Sequence, residues 1–211
     1  MIWQTRWYSK MLLALSERRL IRGFDVRVFA LAPRDCDLAF SKVDVSLSII
    51  EKLDPLVFED LKKRFEFIFV RRSGVSGYYQ ALRTCLLNAQ YVMEAPHIFI
   101  ALTLIHEYTH ARLSDRGFAF HYDNDAEYAR FEKICIRAEL RFVRRVITDD
   151  DVAAPLISFL KAHLAEAEEP DYIRKKKLCM SEAVRGAMLE AGLPAWYVRM
   201  RKGDPPGPRQ G

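Results

Sequence analysis

The stretch from Pro96 to Leu113 reads PHIFIALTLIHEYTHARL, and it decides how the rest of the chain is interpreted. Its apolar residues recur three or four positions apart, which is the spacing of one face of an α-helix. Proline suits the first turn of a helix, because the amide hydrogen that it lacks would have no partner there. The sequence therefore predicts a largely apolar helix with a few polar groups near its end.

Those polar groups are the pattern His106-Glu107-Tyr108-Thr109-His110. Residues four apart on a helix lie on the same face, so His106 and His110 can present two imidazoles to one metal ion. Zinc accepts imidazole nitrogens, and a catalytic zinc site takes three protein ligands plus water. Glu107 lies beside His106, where a carboxylate can accept a proton from water and later release it. The pattern predicts a zinc ion held by the two histidines.

The His-Glu-x-x-His pattern resembles the zincin superfamily of metallopeptidases, and the resemblance covers roughly residues 65–147. It implies a zinc-dependent peptidase in which Glu107 is the catalytic base. It also implies that an edge strand before the helix binds extended substrate through main-chain hydrogen bonds. The matching stretch here is Thr84 to Val92, and it is expected to offer Asn88, Ala89 and Gln90 to the substrate.

The third metal ligand is expected downstream, because the gluzincin branch of the superfamily takes it from a glutamate on a second helix. Glu132 and Glu139 both lie on a helix predicted over residues 125–147 and share one face. The separation of Glu132 from His110 is similar to that in thermolysin-like enzymes. The separation of Glu139 from His110 is nearer to that in the ImmA/IrrE-like peptidases. Glu132 is preferred as the ligand, and Glu139 would then bond to a ligand histidine or to Arg137. The residues between them resemble uncharacterised bacterial HExxH proteins.

A peptidase of this kind also needs a donor that stabilises the oxyanion of the tetrahedral intermediate. The loop and helix start after the motif offer His121, Tyr122 and Tyr128 for this role. His97 is about half a turn out of phase with His106, so it is not expected to join the site.

The remaining pattern predicts strands in the first half and helices in the second. Strands are expected over residues 24–32 and 65–70 and, half exposed, over 81–93. A helix over 41–53 is preferred to a strand, and a short helix follows over 55–63. Further helices are expected over 149–168, over 171–191 and, as an amphipathic segment, over 1–20.

This order predicts an α+β fold, with a small antiparallel or mixed sheet, an active-site helix and a mostly helical C-terminal half. Residues 1–200 are expected to form a single zincin-like domain. Residues 201–211 are rich in proline and glycine and are expected to be a disordered tail.

The composition allows a hydrophobic core, since 50% of the residues are apolar. The four cysteines have no paired spacing, and no apolar run is long enough to span a bilayer. Both features predict a reduced, cytoplasmic protein without a membrane span. The resemblance to metallopeptidases implies that its partner is a peptide or protein substrate.

An alternative function comes from the charge, because residues 172–211 hold nine lysines or arginines and three acidic residues, a local balance of +6, and the remaining chain is nearly neutral. A catalytically inactive protein of the same fold would use this basic region to bind nucleic acid or another anionic partner. Nucleic acid is the less expected partner, since no nucleic-acid-binding motif accompanies the charges. A purely structural metal site is disfavoured, because the sequence shows no fourth ligand near the motif.

Overall fold

A computed structural model describes residues 14–29, 31–72, 75–118, 124–169 and 171–174 of the chain. Within these ranges the chain forms a five-stranded mixed sheet, and helices make up most of the second half. The prediction of an α+β fold with a mixed sheet and a helical second half is confirmed.

The strands of the sheet are β1 (Glu17–Ile21), β2 (Phe24–Phe29), β3 (Phe67–Arg71), β4 (Gly77–Tyr79) and β5 (Thr84–Asn88). Their spatial order is β1-β2-β3-β5-β4. The three inner strands are parallel, and each outer strand is antiparallel to its neighbour. In β3 every residue from Phe67 to Val70 is buried, which is typical of an inner parallel strand covered on both faces.

The helices in the described ranges are α1 (Pro33–Leu53), α2 (Pro55–Arg64), α3 (Ala89–Glu94), α4 (His97–Asp115), α5 (Asp125–Val146) and α6 (Asp150–Glu166). α4 is the most central of these, since α1, α2, α5 and strands β4 and β5 all contact it. α6 packs against α5, and its Phe159 ring contacts Phe99 of α4. The central position of α4 follows from its apolar sequence, because a helix that is apolar on most sides is stable only when other elements cover it.

Most of the predicted elements are confirmed within a few residues. The strands over 24–32 and 65–70 correspond to β2 and β3, and the helix over 41–53 belongs to the longer α1. The short helix over 55–63 is α2, and it starts at Asp54, whose carboxylate accepts a hydrogen bond from the amide of Val57. The helices over 96–113, 125–147 and 149–168 correspond to α4, α5 and α6.

Only Thr84–Asn88 of the predicted strand over 81–93 is a strand, since Gln80–Leu82 form a short 3₁₀ helix before it and a helix follows it. The assignment of this stretch as the edge strand is also wrong. Asn88 ends β5, and its Oδ1 accepts a hydrogen bond from the amide of Tyr91, so that Ala89 and Gln90 lie in α3. The asparagine side chain satisfies an amide at the helix start, which favours a helix over a continued strand. β5 is also an inner strand, since it pairs with both β3 and β4. Asn88, Ala89 and Gln90 therefore do not form a free sheet edge.

The predicted helix over residues 1–20 is also wrong in its last four residues. Residues 17–20 belong to β1, which forms a hairpin with β2. Arg22 and Gly23 connect the two strands, and both have a positive φ, which permits the tight turn. Residues 1–13 lie outside the described part of the chain.

Several other predictions fall outside the described residues, namely His121, Tyr122, most of the helix over 171–191 and the tail over 201–211. The basic segment over 172–211 is described only up to Arg174. None of the described helices combines the length and apolar composition needed to cross a bilayer.

Candidate metal centre

The motif on α4 brings two histidines to one face of the helix, one turn apart. The ring centroids of His106 and His110 lie 5.0 Å apart, and the rings are inclined at 60° to each other. Both side chains are largely covered, with 13% of the His106 side chain and 9% of the His110 side chain exposed. The two imidazoles therefore lie side by side inside the protein.

Glu132 on α5 faces both of these rings, as the preferred sequence interpretation expects of a third ligand. Its Oε2 lies 3.4 Å from Nε2 of His106, and its Oε1 lies 3.5 Å from Nε2 of His110. Only 1% of the Glu132 side chain is exposed. A carboxylate is rarely buried to this degree unless it is paired with a cation or binds a metal ion.

Glu139, the alternative ligand, contacts the other nitrogen of the first histidine. Its Oε1 lies 2.8 Å from Nδ1 of His106, which is hydrogen-bonding distance. His106 is thus held between two carboxylates of α5, Glu132 at Nε2 and Glu139 at Nδ1. This geometry favours Glu132 as a metal ligand and Glu139 as the group that orients the ring, because metal-binding histidines commonly donate their second N–H to a carboxylate.

The same two carboxylates control the protonation of His106. Burial alone would lower the pKa of the imidazole, but the negative charges of Glu139 and Glu132 outweigh it and hold the pKa well above its ordinary value. The carboxylates therefore favour a positive charge at this position, and a metal cation would satisfy the same preference.

Cys135 is a further potential ligand, and the sequence analysis did not assign it to the site. Potential ligand atoms of His106, His110 and Cys135 all lie within 4.8 Å of one another, so these three residues could hold a metal ion. Cys135 is fully buried on α5 and packs near Leu113 and Phe131. The feature of the sequence that points to Cys135 is its position three residues after Glu132, because this spacing puts both residues on one helix face.

A cavity of about 290 Å³ opens beside the motif. His106, Glu107 and Glu139 line it, and so do residues of the surrounding elements: Ser76, Tyr91, Phe99, Leu102, Thr103, Phe159, Leu160 and His163. Glu107 is itself buried, with 5% of the residue exposed. The predicted base thus lies on the wall of a largely apolar cavity that also reaches the first histidine.

Of the predicted oxyanion donors, Tyr128 is not among the described residues that line this cavity. His121 and Tyr122 lie outside the described residues, and Tyr128 is buried in the main hydrophobic core. His163 of α6 does line the cavity, and its Nδ1 lies 3.3 Å from Oε2 of Glu166. The packing of α6 against α5 brings His163 to the cavity wall. Because this is a tertiary contact, no local sequence pattern indicates His163.

The outer strand near the cavity is β4 rather than the predicted stretch. In the described part of the sheet β4 pairs only with β5, so its other side has no strand neighbour. Ser76, directly before β4, lines the cavity, and its Oγ accepts a hydrogen bond from the amide of Asn88.

Comparisons with protein-family models, with curated proteins and with solved structures give no match for this chain.

Proposed function

We propose that this protein is a zinc-dependent peptidase that hydrolyses peptide bonds. The single observation that carries the proposal is the convergence of His106, His110 and the buried carboxylate of Glu132. Glu107, next to His106 in sequence, lines the cavity that opens beside them.

The donor set fits zinc. Two imidazole nitrogens and one carboxylate oxygen are a common ligand set of catalytic zinc, which keeps one further position open. When bound, zinc supplies Lewis acidity, which polarises the scissile carbonyl and makes water a competent nucleophile near neutral pH.

The roles of the other residues follow from their positions. Glu107 takes the proton from the attacking water and delivers it to the leaving amine, as the cavity wall position allows. Glu139 accepts the N–H of His106 at Nδ1, which fixes the tautomer and leaves Nε2 as the ligand atom. His163 is the proposed oxyanion donor, since Glu166 contacts its Nδ1 and Nε2 is the nitrogen left for a substrate oxygen.

An extended peptide is the substrate class that the surroundings support. The outer strand β4 offers main-chain hydrogen bonds to one added strand, and Ser76 at its start lies on the cavity wall. Tyr91, Phe99 and Phe159 give the cavity an apolar lining for a substrate side chain.

Conversion of Glu107 to glutamine tests the proposal. Glu107→Gln keeps the shape of the side chain but cannot accept the proton, so we expect cleavage of a quenched fluorescent peptide library to fall about 10²- to 10⁴-fold. The zinc content should stay at about one equivalent, because Glu107 is not a ligand. Glu66→Gln is the matched control, since Glu66 is exposed. Equal cleavage by the two variants and the unaltered protein would refute the proposal.

A structural metal site is a second candidate function, and the position of Cys135 favours it. His106, His110 and Cys135 lie within 4.8 Å of one another through their ligand atoms, and Glu132 faces both histidines. Four protein ligands would close the coordination sphere, as is usual for structural zinc. The protein would then bind zinc without turnover.

Cobalt substitution separates the two candidates. A thiolate ligand gives the cobalt form an intense near-ultraviolet charge-transfer band, which Cys135→Ser would abolish. The peptidase proposal expects no such band and full cleavage by Cys135→Ser. A strong band, together with absence of cleavage, would establish the structural site instead.

A further inference from the structure

A basic surface lies in a groove between α5 and α6, and none of the residues of the candidate metal centre lines it. Four cations line this groove, namely Arg137, Arg141 and Arg144 of α5 and Lys161 of α6. Three aliphatic side chains complete the lining: Ile134, Leu140 and Leu164. We call these seven residues the basic groove, and its volume is about 570 Å³.

The cations of the basic groove are poorly neutralised. Glu168 lies 4.0 Å from Nη2 of Arg137, and both side chains are more than half exposed. Among the described residues no carboxylate forms an ion pair with Arg141, Arg144 or Lys161. Exposed like charges this close together repel one another, so a ligand with negative charges is stabilised here.

Helical spacing arranges the arginines as a stripe. Arg137, Arg141 and Arg144 are four and three residues apart, so they share one face of α5 and span about 10 Å along it. Arg141 also lines a neighbouring cavity with Arg112 and Arg145. Arg145 is paired with Asp54, so Arg112 is the residue that extends the positive surface toward α4. The stripe matches a ligand whose negative charges repeat at a similar interval.

The groove floor identifies the kind of anion. Leu140 is buried, and Ile134 and Leu164 are partly buried, so an occupant must contact aliphatic carbon between the cations. None of the described residues that line the groove is aromatic, so it lacks the stacking platforms that bind single-stranded nucleic acid. An amphipathic segment with acidic and apolar residues satisfies both the rim and the floor.

The chain's own C-terminal segment does not have the acidic character that this groove requires of a ligand. Residues 172–211 contain nine lysines or arginines and only three acidic residues, so the groove would repel them. We therefore propose that the basic groove is a docking site for an acidic amphipathic segment of another protein. This proposal goes beyond the peptidase activity, and it holds whether or not the metal centre is catalytic.

Fluorescence anisotropy on the full chain tests the proposal with three labelled probes. The first is a synthetic peptide in which Glu and Leu recur at helical spacing. The second is a polyglutamate peptide, and the third is an oligothymidylate, each with the same net charge as the first. We expect the Glu/Leu peptide to bind most tightly, and its binding to weaken as salt screens the charges.

Two double variants locate the binding. Arg141→Glu with Arg144→Glu should weaken binding of the Glu/Leu peptide about tenfold or more. Arg34→Glu with Arg116→Glu makes the same charge change at exposed positions elsewhere, and it should weaken binding less than about threefold. Both should retain the circular dichroism spectrum of the unaltered protein.

Leu164→Ser tests the apolar contribution. It should weaken binding of the Glu/Leu peptide and leave the affinity for polyglutamate unchanged. Equal affinity of the two double variants for the Glu/Leu peptide would overturn the proposal. Tighter binding of the oligonucleotide, lost on reversal of Arg141 and Arg144, would replace it with a nucleic-acid site.

Discussion

At the scale of single residues, the two glutamates of α5 have different partners although they share one helix face. Glu132 faces the Nε2 atoms of both histidines, while Glu139 lies 2.8 Å from Nδ1 of His106. A carboxylate at Nδ1 fixes the tautomer and makes the other nitrogen a better ligand. This difference in position supports the proposed roles of Glu132 as a metal ligand and of Glu139 as the group that orients the ring.

The role of Glu139 gives the first prediction. Glu139→Gln removes the negative charge at Nδ1 but preserves size, so we expect zinc affinity to fall about 10- to 100-fold without loss of helix content. Competition with a fluorescent zinc chelator measures the affinity. Glu168→Gln, at an exposed carboxylate, is the control and should leave the affinity unchanged. An unaltered affinity in Glu139→Gln would show that the contact does not support the site.

At the scale of elements, the chain changes from strand to helix at Asn88. Its side chain caps α3, and α3 then turns the chain from the sheet to the start of α4. The turn is held in part by a hydrogen bond between the hydroxyls of Tyr91 and Thr103, 3.0 Å apart. The position of the motif relative to the sheet therefore depends on a helix of six residues.

Removal of this cap tests the assignment. Asn88→Ala deletes the acceptor for the Tyr91 amide, so the free energy of unfolding should fall by about 1 kcal/mol. Gln90→Ala is the control, since Gln90 is exposed in the same helix, and it should change the free energy by less than about 0.5 kcal/mol. Urea unfolding measures both, and similar values for the two variants would contradict a capping role.

A second contact between elements joins α2 to α4. The Asp60 carboxylate accepts hydrogen bonds from the hydroxyl of Tyr108 at 2.6 Å and from Nε of Arg64 at 3.0 Å. Burial alone would raise the pKa of Asp60, but these hydrogen bonds and the positive charges nearby outweigh it and lower the pKa below 3.8.

The lowered pKa predicts a pH dependence of stability. Because the folded state favours the ionised carboxylate, the contribution of Asp60 is fully present above pH 3.8 and is lost as pH falls through the lower folded pKa. In the metal-free protein, Asp60→Asn should therefore be less stable than the unaltered chain at about pH 7, and the difference should shrink toward about pH 3.

Urea unfolding at several pH values checks this dependence. Glu59→Gln is the control, because Glu59 lies on the same helix with 58% of its side chain exposed and should cause little change at any pH. A destabilisation by Asp60→Asn that stays constant down to acidic pH would contradict the charge-based account.

At the scale of the whole molecule, sequence periodicity was sufficient for most elements. The apolar spacing of α4 and the paired histidines on it were readable, because both are local features of a helix. The sequence pattern does not indicate β4, since Gly77–Tyr79 is too short to show the alternation of apolar and polar residues that is typical of a strand. The strand expected over 81–93 continues too far, because the capping preference of Asn88 starts a helix that residue alternation does not reveal.

The candidate site was predictable only in part, for a physical reason. His106 and His110 are fixed by one helix, but the groups that face them depend on how α5 and α6 pack against α4. Glu132 and Cys135 share a face of α5. Whether that face is turned toward the histidines depends on the orientation of α5 about its own axis, which the sequence does not reveal and the structure does. His163 comes from α6, so no spacing within the motif could reveal it.

Binding of zinc should also stabilise the whole fold, because the proposed ligands lie on two helices that pack together. A metal that binds only the folded chain adds about 2.7 kcal/mol at a free concentration 100 times its dissociation constant. We expect thermal unfolding of the zinc-loaded protein at a higher temperature than that of the chelator-treated protein. The double variant His106→Ala with His110→Ala should show no such difference. An equal zinc-induced shift in that variant would place the stabilising metal elsewhere.

The location of a bound zinc ion is the most direct test of the metal centre. In a crystal of the zinc-loaded protein, anomalous scattering at the zinc edge should reveal one ion about 2.0–2.2 Å from Nε2 of His106, Nε2 of His110 and a carboxylate oxygen of Glu132. An ion bound elsewhere, or none at these residues in a zinc-replete crystal, would contradict the assignment.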